Sequence, residues 1–160
     1  IAILCLATAV ILLVVLALID LKTWLLPNEY VLGFAIAGGI FHLATAYYFL
    51  SPKDMALGAF IGAGLLYLLR ESAHMIYKKE ALGMGDVKLL GAAGIWLGPY
   101  NVLMAMTVGA TASVLHGLAL ALYKKAPLRG MQLPAGPGFV IGIVVIGVMQ
   151  FHTIQKVLWP

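Results

Sequence analysis

Glu80-Ala81-Leu82-Gly83-Met84-Gly85-Asp86-Val87-Lys88 separates two strongly apolar halves of the chain. It sets a carboxylate directly after two flexible glycines, at the mouth of a new hydrophobic run. A charge in such surroundings is costly, and a plain membrane anchor has no use for it. An ionisable residue in or at the edge of a membrane is by default a functional-site candidate with a partner to be found.

The surroundings are membrane-like. Of the 160 residues 63% are hydrophobic and 10% charged, with a mean hydropathy of +1.04, whereas soluble domains carry about 25% charged residues. Lipid is therefore the main solvent, and residues 1–160 read as a single membrane-embedded domain. The net charge of +4 does not point to nucleic acid, because the basic residues sit in the breaks between apolar runs. The one cysteine, Cys5, excludes an internal disulfide or a CxxC zinc site within these residues. His42, His74, His116 and His152 have no metal-ligand spacing, so neither metal nor cofactor is expected. His116 lies mid-span, where a bond to a neighbouring helix is the natural reading.

The apolar runs predict an all-α, polytopic membrane helix bundle of about six transmembrane helices. The first is Ile1–Ile19, which lacks the basic flank of a signal peptide and ends on Asp20. A polar turn holding Trp24, Pro27 and Asn28 leads to a second run over Tyr30–Leu50. Ser51-Pro52-Lys53-Asp54 has turn and cap chemistry. The third run, Met55–Leu69, continues as a wetter helix to Lys79, with Arg70, His74 and Lys78 on one face. Val87–Leu97 and Tyr100–Leu122 are split by Gly98-Pro99, and the last run goes from Pro134 to Phe151. Val87–Leu97 is only about 16 Å long and cannot cross a hydrocarbon core of roughly 30 Å. Either the Gly98-Pro99 turn stops below the far surface or Asp86 starts well inside the near one, and the second reading is preferred.

Eight basic residues (Lys22, Arg70, Lys78, Lys79, Lys88, Lys124, Lys125 and Arg129) fall after the first, third and fifth runs, against Lys53 and Lys156 on the other side. The positive-inside rule then places both termini outside and Asp20 and Asp86 together on the cytoplasmic side. Small residues at four-residue spacing (Gly58 and Gly62, Gly94 and Gly98, Gly109 and Ser113, Gly138 and Gly142) read as ordinary helix packing.

Of six acidic residues, only Asp20 and Asp86 end or begin apolar runs on the same side. Brought together in a low-dielectric site, two carboxylates cannot both ionise easily. One then takes a proton from water while the protonated one polarises a carbonyl. Gly83 and Gly85, lacking Cβ atoms, are expected to leave room for an extended peptide beside the acid. Each acid alone is equally well explained as an interfacial residue or helix cap; the pair on one side is not.

Gly83-Met84-Gly85-Asp86 resembles the signature of the GxGD membrane aspartyl proteases, and its surroundings resemble the bacterial type IV prepilin peptidases. In that family an aspartate ending a span is followed by Ile/Leu-Pro-Asn/Asp, to which Asp20 and Leu26-Pro27-Asn28 are similar. Glu80 through Leu90, followed by Gly94, Trp96, Leu97 and Gly98, resembles the family's central segment, and Pro134-Ala135-Gly136-Pro137 its late Pro-Phe-Gly-Pro-like one. The resemblance covers essentially the whole chain. It implies Asp20 and Asp86 as the catalytic pair; Gly83, Gly85, Pro27, Asn28 and Glu80 are candidates to bind substrate or shape the site, and Lys88 is either another such residue or a snorkelling lysine that sets topology. The implied substrates are prepilin or pseudopilin precursors of type IV pili or type II secretion. Their short basic leader would be cut at the cytoplasmic face of the bacterial inner membrane. Longer members carry a cysteine-containing domain and N-methylate the new terminus; the likeness within residues 1–160 is to the peptidase core only, which leaves methylation to whatever precedes Ile1. A small proton-coupled transporter using the same two aspartates as a relay is the alternative, and its signature is a matched pair of broken helices. The oligomeric state is left open.

Overall fold

The computed structural model describes residues 1–77, 83–124 and 135–152. Among them all regular structure is helical, in the order α1 (Ala2–Thr23), α2 (Asn28–Ala44), α3 (Pro52–Tyr77), α4 (Met84–Lys124) and α5 (Gly136–Phe151). Three helices, Ala2–Thr23, Pro52–Met75 and Met84–Tyr123, are long and apolar enough to cross a membrane. The helices fall where the apolar runs predict them, with one helix, α4, covering the fourth and fifth.

α4 is broken where Gly98-Pro99 predicts it. Gly98 has φ 78° and ψ 180°, a region that is essentially glycine-only. Pro99 has no N–H, so the carbonyl of Ile95 loses its helical donor. Buried polar side chains from other helices meet the freed carbonyls. His42, fully buried on α2, places Nε2 3.1 Å from the Trp96 carbonyl and also faces that of Ile95. Because a carbonyl only accepts, the ring carries its proton on Nε2. Gln150 on α5 reaches the Trp96 carbonyl at 3.5 Å and accepts a bond from Asn101 at 2.9 Å. Trp96 itself donates from Nε1 to the Phe34 carbonyl at 2.8 Å. Its ring lies over Gly38, where a Cβ would be 2.7 Å from Nε1. Phe34, Phe41, Phe49 and Phe151 complete an aromatic core around it.

The small residues are contact points. Gly58 packs on Gly94 and Gly98, Gly62 on Leu90, and Gly109 and Ser113 on Gly138 and Gly142. α3 is thus antiparallel to the first arm of α4, and α5 is antiparallel to the second.

Several boundaries differ from the sequence expectation. α1 does not stop at Asp20 but runs one turn further, to Thr23, closing on Trp24 at φ 60°. α2 ends at Ala44 rather than Leu50. Ala46 and Tyr47 take positive φ there, turning the chain so that Phe49 stacks back on Phe41. His116 is exposed and makes no helix-to-helix hydrogen bond among the described residues, because its face of α4 points away from the bundle. The histidine that bonds another helix is His42. Ser51 does cap α3, accepting from the Asp54 N–H at 3.2 Å and donating to its carboxylate at 2.7 Å. α3 is continuous through Arg70, which pairs with Glu71 at 2.7 Å, and Lys78 and Lys79 lie outside the described residues.

Gly98→Ala is expected to destabilise the bundle by about 1–3 kcal/mol, since the new methyl meets both a disallowed backbone and the Leu50 side chain 2.5 Å away. Gly39→Ala, whose methyl meets nothing within 4 Å, is the control. Equal unfolding midpoints for both variants in denaturant would contradict the assigned break.

Candidate functional site

Asp20 belongs to the buried stripe of α1, which runs Ala2, Cys5, Ala9, Leu13, Leu16, Asp20 at helical spacing. Its position in the last turn turns the carboxyl inward, and the residue is only 5% exposed. Asp86 lies in the first turn of α4 on the face that continues through Leu89, Leu90, Ala93 and Leu97, all buried. It is 6% exposed. Its backbone N–H donates to the Gly83 carbonyl at 3.2 Å, while its Oδ1 is buried without a hydrogen-bond partner among the described residues. The two acids are 66 residues apart in sequence, yet the link after α1 docks on the start of α4, Leu26 on Gly85 and Asn28 on Lys88, which brings both to the same end of the bundle.

The start of α5 meets Asp20 at the same end. Gly136 opens α5 and its N–H donates to Asp20 Oδ2 at 3.1 Å. A Cβ on Gly136 would lie 2.5 Å from that oxygen, so only glycine allows the approach. The helix start is itself held by Ser113, whose hydroxyl donates to the carbonyls of Gly109 at 3.0 Å and Ala135 at 3.2 Å. An N–H at a helix N-terminus is a natural partner for a carboxylate.

The other expected residues divide. Leu26-Pro27-Asn28 and Gly85-Asp86-Val87-Lys88 are joined by two contacts. Asn28 Oδ1 accepts from Lys88 Nζ at 2.8 Å. Leu26 rests on Gly85, where a Cβ would be 2.7 Å from the Leu26 Cβ. Pro27 is the extended N-cap residue of α2, at φ −63° and ψ 133°. The space over Gly85 is thus filled by Leu26, so the room expected there for a peptide is absent, while Gly83 is left uncovered by the described residues. Gly83 is exposed, and its nearest neighbour is Asp86 Oδ2, 3.3 Å from where a Cβ would sit. Lys88 points to the opposite side of α4 from Asp86 and touches the site through Asn28. Glu80 and Pro134 lie outside the described residues.

Gly136, Ser113 and Leu26 are site-shaping residues that motif reading did not single out. Gly136 stands in a quoted segment, but its aim at Asp20 depends on how α5 docks. Among the described residues no group of three His, Cys, Asp or Glu side chains is placed to hold a metal ion.

These features define a helical membrane protein with two buried aspartates, from separate helices, gathered at one end against a third helix's N-terminus. The chain belongs to the type IV leader peptidase family, which matches residues 7–122. It is 44% identical over 101 residues to a prepilin leader peptidase/N-methyltransferase of Pectobacterium carotovorum subsp. carotovorum, covering 61% of this chain and 36% of that one. A protein of the same description from Dickeya chrysanthemi is 38% identical over 119 residues, covering 72% and 41%. One from Escherichia coli (strain K12) is 28% identical over 130 residues, covering 81% and 56%. The chain thus spans from about a third to just over half of the length of these curated relatives. No solved structure matches it.

Leu26→Cys combined with Gly85→Cys, in a Cys5→Ala background, is expected to form a disulfide under mild oxidation after a shift of about 1 Å, which opens the pair to the usual Cβ separation. A non-reducing gel reads the result; a pair that stays reduced would contradict the docking of the α1–α2 link on Gly85.

Proposed function

We propose that the chain is an intramembrane aspartic endopeptidase that removes the short basic leader of type IV prepilin-like precursors. The observation that carries this reading is the pair of buried aspartates, Asp20 and Asp86, at one end of the bundle of a leader-peptidase family member. Prepilin and pseudopilin precursors are the substrates, in line with the names of the relatives. The multi-pass chain sits in the bacterial inner membrane with its active site toward the cytoplasm. Lys22, Arg70 and Lys88 all lie at the acid end of the described helices and Lys53 at the other, which supports that sidedness.

In the proposed reaction the two carboxyls share one proton. The ionised member takes a proton from a water held between them, and the other donates to the carbonyl oxygen of the scissile peptide. The resulting tetrahedral intermediate collapses with proton return to the leaving amine. The Gly136 N–H orients Asp20, and Oδ1 of Asp86, which has no partner among the described residues, engages water or substrate. The open backbone beside Gly83 gives an extended peptide its approach. The transporter reading asks for two matched broken helices. Among the described helices only α4 is broken, and Gly98 lies about 18 Å along the helix from Asp86.

Asp20→Asn and Asp86→Asn are each expected to cut prepilin cleavage by about a thousandfold or more, with unfolding midpoints close to the parent; cleavage retained by both sinks the reading. Gly136→Ala should lower kcat about tenfold or more by displacing the Asp20 carboxyl, an effect absent for Gly39→Ala. The rate should be bell-shaped in pH, falling when both acids are protonated and again when both are ionised. A profile flat through the acid range would count against a shared proton.

A further inference from the structure

We propose that the cleft between α2 and α3 binds one phospholipid with a primary-ammonium, ethanolamine-type headgroup. α2 and α3 both rest on the first arm of α4 but make no extended contact with each other. The gap between them is about 610 Å³. Its mouth carries Asn28, Glu29 and Lys88, and every other lining residue is apolar, with Ala35, Ala63 and Gly91 keeping the body wide. From Lys88 to Ile95 the floor runs about 10 Å along α4, enough for the upper part of an acyl chain. Asp86 faces the other side of α4, so the cleft is separate from the acid pair, and this site does not rest on the peptidase reading.

The charges at the mouth select the headgroup. Lys88 gives one N–H to Asn28 and keeps two more donors. Glu29 is exposed, and among the described residues it has neither a hydrogen bond nor an ion pair. The two opposite charges line one opening without pairing with each other. A single amphiphile satisfies both: its phosphate accepts from Lys88, its ammonium donates to Glu29, and its chain enters the apolar body. A choline headgroup has no N–H for the carboxylate, and a glycerol headgroup offers Glu29 only neutral hydroxyls and no balancing cation. Lipid seated there braces the α2 start that contacts Lys88, one turn from Gly85.

The test uses the purified full chain, stripped of lipid in detergent and given phosphatidylethanolamine, phosphatidylcholine or phosphatidylglycerol with identical acyl chains. Native mass spectrometry should show one ethanolamine lipid retained at least tenfold more tightly than the other two, with a raised Tm. Glu29→Gln should bring ethanolamine retention down to the choline level. Ala35→Phe, which fills the cleft, should abolish retention of that one lipid in a chain that still melts cooperatively. Equal retention of the three headgroups, preference for the glycerol lipid, or a preference unchanged in Glu29→Gln overturns the proposal. So does a dimer that dissociates on Ala35→Phe, because a second copy would then occupy the cleft.

Discussion

The burial of two aspartates among apolar helices sets the terms for the rest of the molecule. A carboxylate withdrawn from water needs donors or a shared proton, and an apolar helix offers neither from its side chains. The donor for Asp20 comes from the backbone at the start of α5, through the Gly136 N–H. That requirement propagates outward. α5 must begin at the level of Asp20, so its first residues are fixed by Ser113, and its next turns lie against α4 through Gly109, Gly138 and Gly142. A larger side chain at any of these contacts would move the helix start away from the acid.

The far end of the bundle solves a related problem. Breaking α4 at Gly98 lets one helix turn back against α3, α2 and α5, but it frees carbonyls within an apolar core. His42 and Gln150 meet them, and Trp96 is held by Phe34 and Gly38. The first arm of α4, which carries Asp86, is thereby anchored at its distal end by polar contacts and at its proximal end by Leu26 and Asn28. A short helix fixed at both ends is a rigid mount for the buried Asp86 side chain.

This arrangement explains why three sequence segments, remote from one another in the chain, belong to one proposed function. The turn after α1 docks on the first turns of α4, and the start of α5 docks on Asp20. Family membership and the buried pair point the same way, and the relatives' names supply the class of substrate that such a site is proposed to process.

The amino-acid sequence by itself determined the helical class, the approximate runs, the break at Gly98-Pro99 and the candidacy of Asp20 and Asp86. Each of these follows from local chemistry: hydropathy, proline's missing donor, and the cost of a charge next to lipid. It did not determine where α1 and α2 end, because an apolar helix in lipid has no polar face to mark its last turn. Only the tertiary structure decided that Gly85 packs on Leu26 instead of leaving a gap, that Lys88 points away from Asp86, and that Gly136 is the residue aimed at Asp20. Those outcomes depend on how three helices dock, and small residues permit many dockings. Contact between particular backbones selected one.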